Sequence, residues 1–212
     1  GAGREVVVIP TGVANVASMV AALERLGADV EVSDAPRRVE RAGHVVLPGV
    51  GAFGAGADFL EEHGLADPLR ARARAGRPLL AVCLGMQLLF EESEESPGRR
   101  GLGVVPGVVT RFPQGMVVPH MGWNRVEAEQ VPALRAGYAY FANSYRVQSA
   151  PRGWAAAWTD YGGRFVAAMQ RGALVGCQFH PELSGGWGLE LLRGWLTQAE
   201  DWPSQAAEDS SC

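Results

Sequence analysis

The residue best placed for chemistry is Cys83, in the stretch Leu79-Leu80-Ala81-Val82-Cys83-Leu84-Gly85-Met86-Gln87-Leu88-Leu89-Phe90. The run Leu79 to Val82 is short and apolar and reads as a buried strand, and a helix-favouring run follows from Met86 to Glu92. A nucleophile on a tight turn between strand and helix is held clear of the sheet. A helix N-terminus beside it favours a thiolate and the oxyanion that forms on attack. The small residues Ala81 and Gly85 let such a turn close. The stretch by itself fits a buried structural cysteine equally well, since cysteine is among the residue types most often found in cores.

A second stretch, Gln178-Phe179-His180-Pro181-Glu182, supplies what a thiol nucleophile needs. His180 and Glu182 are two apart around Pro181, which favours an extended backbone, and that spacing points both side chains to the same side. An imidazole can take the thiol proton while the carboxylate orients the ring and steadies its charged form. A His acting as base must be neutral, so activity is expected to fall below the ordinary His range of about 6–7. A His with no role beyond packing or solvation is the plainer alternative.

A third stretch, Pro48-Gly49-Val50-Gly51, follows another apolar run, and its glycines let backbone N–H groups turn toward a ligand. One N–H from Leu84 and another from the Val50–Gly51 region would together bind a tetrahedral oxyanion. The same residues form Gly49-Val50-Gly51-Ala52-Phe53-Gly54, a G-x-G-x-x-G pattern that also marks dinucleotide sites. Such sites need an acidic residue at a strand end roughly 20 residues on. Here that region, 65–75, is helical in pattern, which argues against the dinucleotide reading. Pro119-His120-Met121-Gly122-Trp123-Asn124 and Tyr140-Phe141-Ala142-Asn143-Ser144-Tyr145 suit binding or packing better than catalysis. His44, His63 and His120 are scattered and no metal-ligand spacing appears, so neither a metal nor a cofactor is expected.

Several elements must position these residues. Apolar runs at residues 5–10, 29–33, 44–48 and 79–82 alternate with helical stretches, one of them carrying Val16, Met19, Val20, Leu23 and Leu26 on one face, with Asn15 as its cap and Gly27 as its stop. That alternation predicts an α/β fold with an open, mostly parallel sheet flanked by helices, whose ligands bind beyond the carboxyl ends of the strands. From residue 103 to 178 the helical period fades. Strand-like runs at 104–112, 116–127, 137–147, 154–158, 164–170 and 173–179 predict antiparallel hairpins in the C-terminal half. A last helix is expected over about 188–199, and residues 201–212 read as a polar tail beyond a single domain spanning 1–200.

The 212 residues are 47% hydrophobic and 20% charged with net charge −4, which suits one globular unit with a full core. The basic patches Pro36-Arg37-Arg38 and Arg70-Ala71-Arg72-Ala73-Arg74 are too short for a nucleic-acid surface and read as solvated faces. No apolar run reaches the roughly 18 residues of a membrane span, and no signal peptide is expected, since Arg4 leads straight into a strand-like run. Cys83, Cys177 and Cys212 make no disulfide framework, so a cytoplasmic location is expected.

Val82 to Gln87 together with Gln178 to Glu182 resembles the class I glutamine amidotransferases. Pro48 to Phe53, Cys83 to Phe90, Pro119 to Asn124, Tyr140 to Arg146 and Gln178 to Glu182 with Ser184-Gly185 narrow the resemblance to the glutaminase subunits of imidazole glycerol phosphate synthases. The resemblance implies a flavodoxin-like fold and hydrolysis of glutamine to glutamate and ammonia by a Cys83–His180–Glu182 triad. It implies N–H donors around Val50, Gly51 and Leu84, and contacts to glutamine from Gln87, Glu95, Ser144 and Tyr145. It also implies a heterodimer with a separate (β/α)8-barrel cyclase, which uses the ammonia in histidine biosynthesis to make imidazole glycerol phosphate and AICAR. Three positions depart from the pattern: Asn143 where His is frequent, Leu183 where a Lys commonly reaches a carboxylate of the cyclase, and Thr11 to Ala14, which lacks a Gly before Asn15.

Overall fold

A computed structural model of the chain describes residues 4–11, 16–128 and 130–198. In chain order it contains β1 (Glu5–Val8), α1 (Val16–Arg25), β2 (Asp29–Val32), α2 (Pro36–Arg41), β3 (His44–Leu47), α3 (Phe53–Glu62), α4 (Ala66–Arg74), β4 (Leu79–Val82) and α5 (Leu84–Leu88). There follow β5 (Glu92–Ser93), β6 (Val108–Arg111), β7 (His120–Val126), β8 (Gly137–Asn143), β9 (Tyr145–Arg146), β10 (Ala155–Asp160), β11 (Arg164–Arg171), β12 (Leu174–Cys177) and α6 (Gly185–Gln198). The main sheet runs β10-β11-β12-β4-β3-β1-β2. β2, β1, β3, β4 and β12 are mutually parallel, whereas β11 and β10 are added antiparallel at one edge. The mostly parallel α/β fold with antiparallel strands toward the C-terminus is therefore as expected.

The unbroken apolar runs of the central strands follow from cover on both faces. On one side Val6, Val8, Val46, Leu80 and Val82 pack with Met19 and Leu23 of α1 and with Leu192 and Trp195 of α6. On the other, Val7, Val45, Leu47 and Leu79 pack with Val39 of α2, Phe53 and Leu60 of α3 and Leu69 of α4. Period-two alternation of side chains sends neighbouring valines of β1 into opposite halves of the core.

The differences from expectation have local causes. Residues 36–41, which the sequence marks only as a short solvated basic face, form a helix. Pro36 is accommodated in its first turn, where a missing N–H costs nothing, and Val39 anchors it. Arg72 is not solvated: it is 2% exposed and donates to the carbonyls of Pro78, Val39, Ala42 and Gly43. Its burial lowers its pKa to about 10, with Arg77 adding to the effect. One buried guanidinium thus ties α2 and α4 to the starts of β3 and β4. The helix after Cys83 begins at Leu84 and has five residues, so its dipole is smaller than the expected stretch to Glu92 would give. The long strand-like runs are trimmed by their glycines and prolines to β6 and β7. The last helix starts three residues earlier than expected, at Gly185. Asn15, Ala199 and the 201–212 tail lie outside the described residues.

Candidate active site

The sheet order explains how residues far apart in sequence meet. β12, β4 and β3 are neighbours, and from their carboxyl ends emerge Gln178 to Glu182, Cys83 and Pro48 to Gly51 respectively. Cys83 sits at φ 55°, ψ −113°, the one non-glycine residue with positive φ among the described residues. Such a backbone costs roughly 1–3 kcal/mol and persists only where surrounding contacts impose it. Here the Cys83 N–H donates to the Cys177 carbonyl at 2.7 Å, and the Cys83 carbonyl accepts from the Gln87 N–H at 3.3 Å. The turn can close only because residue 85 is glycine: a Cβ there would lie 1.9 Å from the Leu47 carbonyl oxygen.

His180 follows β12 and is held by its N–H, which donates to the Tyr140 carbonyl at 2.9 Å. Pro181 does not prolong an extended chain. It opens a 3-10 turn, Pro181–Leu183, as a residue with preset φ does at a first helical position. The turn still brings Glu182 Oε1 to 2.8 Å from His180 Nδ1, with the two side chains 1% and 3% exposed. Ser184 secures it by donating its hydroxyl to the His180 carbonyl at 2.6 Å and accepting the Tyr140 N–H at 3.0 Å. Cys83 is the other side chain acting on the imidazole, and its thiol is directed at the Ala142 carbonyl at 4.0 Å. Burial opposes charging of His180. Its hydrogen bonds to Cys83 and Glu182 and their negative charge outweigh that, and its pKa is pushed up to about 10. The imidazolium is therefore the form favoured at neutral pH, held between the Cys83 sulfur on one side and Glu182 on the other.

Cys83 and His180 open into a cleft of about 450 Å³. Val50, Gly51, Leu84, Gln87, Glu95, Ser144 and Tyr145 line it, so the residues singled out from sequence stand around one space, with Glu182 behind the imidazole. Tyr140, Ala142, Asn143 and Leu183 complete the wall. The Leu84 N–H donates to the Gly49 carbonyl at 3.3 Å, so one candidate oxyanion donor is engaged by the neighbouring turn. Gly51, at φ 102° with open space around its α-carbon, gives that turn freedom to rotate. Glu95 is half-buried and accepts the Phe53 N–H at 3.3 Å; burial raises its pKa, partly opposed by that bond.

The sequence matches the family Glutamine amidotransferase class-I over residues 7–198. The chain belongs to the class I glutamine amidotransferases. It is 45% identical over 195 residues to the imidazole glycerol phosphate synthase subunit HisH of Symbiobacterium thermophilum, covering 90% of this chain and 92% of that one. It is 43% identical over 197 residues to HisH of Moorella thermoacetica, covering 91% and 94%. Within the amidotransferases it therefore belongs to the HisH family. A solved structure described as a glutamine amidotransferase superposes with TM-score 0.75 at 23% identity, covering 92% of this chain and 98% of that one, and so shares its fold.

Two features of this amidotransferase escaped sequence reasoning. Gln178 reads in the sequence only as part of its motif, yet its Nε2 lies 3.8 Å from Cys83 Sγ; the one available signal is an amide at the end of an apolar run, two residues before His180. The β7–β8 ribbon carries an exposed apolar face, with Met121 and Trp123 64% and 58% exposed and Tyr138 57%. Trp123 pairs with Tyr140 in register and meets its ring edge-on, so this face runs to the mouth of the cleft. His120, on the same strand, is a packing residue: it is buried, stacks on Tyr161 at 4.2 Å between ring centres, and its pKa is pushed down by burial, against a contact from Asn143.

Proposed function

We propose that the chain hydrolyses glutamine by acyl transfer to Cys83 and delivers the ammonia to a separate cyclase subunit of imidazole glycerol phosphate synthase. The observation that carries this reading is the buried run of thiol, imidazole and carboxylate at the floor of an amino-acid-sized cleft. Cys83 Sγ attacks the side-chain carbonyl carbon of glutamine, and the carbonyl electrons move onto oxygen. The Leu84 N–H and a donor from Val50 or Gly51 bind that oxyanion once the Gly49 carbonyl has turned away. His180 gives its proton to the departing nitrogen, the C–N bond breaks and ammonia leaves. His180 then takes a proton from water as its oxygen attacks the thioester, and glutamate and the thiolate–imidazolium pair are released. Glu182 holds the imidazole and its charge throughout.

Glu95 is the partner for the α-ammonium of glutamine, because a carboxylate that burial makes costly to charge gains from a bound cation. Gln87, Ser144 and Tyr145 form the wall against which the glutamine side chain lies. The cyclase, a (β/α)8 barrel, docks on the apolar face of Met121, Trp123 and Tyr138, a patch of the kind that marks a partner surface. Leu183 at the cleft rim makes that contact apolar where an ion pair is usual. Docking there turns the Gly49–Gly51 segment and frees the Leu84 N–H, which makes hydrolysis depend on the partner. Among the described residues no helix is long and apolar enough to cross a membrane, and a thiolate nucleophile suits the reducing cytoplasm, where we place the reaction. The test is glutamate release with and without a purified HisF-type cyclase. Release is expected to rise when the cyclase and its ligand are present. Turnover of unrelated amides without any partner, with glutamine inert, would replace this reading by another cysteine hydrolase.

A further inference from the structure

Besides His180, two polar groups lie against the Cys83 sulfur: the Ala142 carbonyl at 4.0 Å, which accepts from the thiol, and the amide of Gln178, which the triad leaves unexplained. Gln178 is completely buried, and its Nε2 stands 3.8 Å from Cys83 Sγ. Its Oε1 accepts from Gln87 Nε2 at 3.0 Å, and Gln87 Nε2 also donates to the Tyr145 carbonyl at 3.1 Å. The Tyr145 carbonyl receives a further bond from Asn143 Nδ2 at 3.0 Å.

These contacts settle which way each amide faces. A backbone carbonyl only accepts, so Gln87 must turn its NH2 toward Tyr145. The same NH2 then meets Gln178, which must present its oxygen there. That leaves the NH2 of Gln178 facing the sulfur. An N–H aimed at sulfur favours the thiolate over the thiol, because the charged form is the stronger acceptor. With Gln178 fully buried and Gln87 5% exposed, little water competes for that bond.

We propose that Gln178 is a further catalytic residue, whose amide N–H steadies the Cys83 thiolate while Gln87 acts as a positioning residue that holds the amide in that orientation. This rests on Cys83 being the nucleophile. Asn143 and Tyr145 line the same cleft, so the chain of amides links the wall beside the substrate to the sulfur.

The measurement is alkylation of Cys83 by iodoacetamide between about pH 5 and 10, quantified on the Cys83 peptide by mass spectrometry. Gln178→Met keeps length and apolar fit but loses the donor. Gln178→Glu keeps an acceptor for Gln87 and puts a carboxylate against the sulfur. The pH of half-maximal rate should rise by about one unit in Gln178→Met, meaning about tenfold less thiolate below it, and by more in Gln178→Glu. Gln87→Leu should shift it the same way by less. Glutaminase kcat should fall about tenfold in Gln178→Met with KM within about twofold, the pattern of an interaction needed for the chemical step. A purely structural Gln178 would lower the melting temperature without moving the alkylation profile. A folded Gln178→Met with the parent profile overturns the proposal alone. A parent protein whose Cys83 resists alkylation throughout overturns both the proposal and the nucleophile it rests on.

Discussion

Replacing Glu182 by Gln probes the ion pair at its least accessible member. The carboxylate is 1% exposed and its Oε1 sits 2.8 Å from His180 Nδ1. A hydrogen bond to a charged partner is worth about 1.5–3 kcal/mol, and the neutral amide forfeits most of it, so the His180 pKa should fall by about one to two units. From its position of about 10, the imidazolium would then lose its proton within the working range of the enzyme. An amide can also turn its NH2 toward Nδ1 and hold the ring in the wrong tautomer, which leaves Nε2 protonated when it should accept a proton. We expect kcat to fall at least tenfold and the alkaline limb of kcat/KM to move down by one unit or more. Glutamate release in the cyclase complex, followed from about pH 6 to 11, reads both, and the imidazole 1H–15N signals report the titration directly. A variant within twofold of the parent rate, with its alkaline limb unmoved, would refute the idea that Glu182 holds the charge on His180.

Four further outcomes follow from contacts in the structure. In the parent enzyme the raised His180 pKa removes the break expected near pH 6–7 from an ordinary His base: kcat/KM should pass smoothly through that range and decline only as pH approaches about 10, where the proton donor is lost. The sign for stability is the same. A folded pKa raised above the unfolded one contributes most below the ordinary His value, and its contribution is lost as pH rises through about 10. Gly85→Ala places a Cβ 1.9 Å from the Leu47 carbonyl oxygen, so the variant should either fail to fold or lose more than about 4 kcal/mol in urea titration; a loss under about 1 kcal/mol would show that the turn has slack. Arg72→Met removes four hydrogen bonds to backbone carbonyls. The Ala42 carbonyl keeps Arg77 and the Pro78 carbonyl keeps the Val45 N–H, so the loss should be about 1–3 kcal/mol; unchanged stability would mean the guanidinium is dispensable.

The fold was legible because the parallel strands carry unbroken apolar runs, such as Glu5-Val6-Val7-Val8 and His44-Val45-Val46-Leu47, between helical stretches. α2 was not, since one buried residue, Val39, gives no period, and a basic surface hides it. The buried Arg72 was equally invisible: its partners are backbone carbonyls, which have no sequence signature. At the site, Cys83, His180 and Glu182 could be paired because their chemistry is complementary and each follows a strand. Their charge state could not, because it depends on burial and on both neighbours acting at once. The turn at Pro181 shows the limit of spacing arguments. The two side chains meet, but across a 3-10 turn rather than along an extended strand. Gln178 went unassigned because an amide has no chemistry of its own until a sulfur is found beside it.

The direct measurement is to quench the cyclase complex in acid during glutamine turnover and map the acyl group by mass spectrometry. A glutamyl thioester on the Cys83 peptide, absent from Cys83→Ala along with glutamate release, is the predicted result. Glutamate release at the parent rate by Cys83→Ala, or an acyl group carried on any other residue, would contradict it.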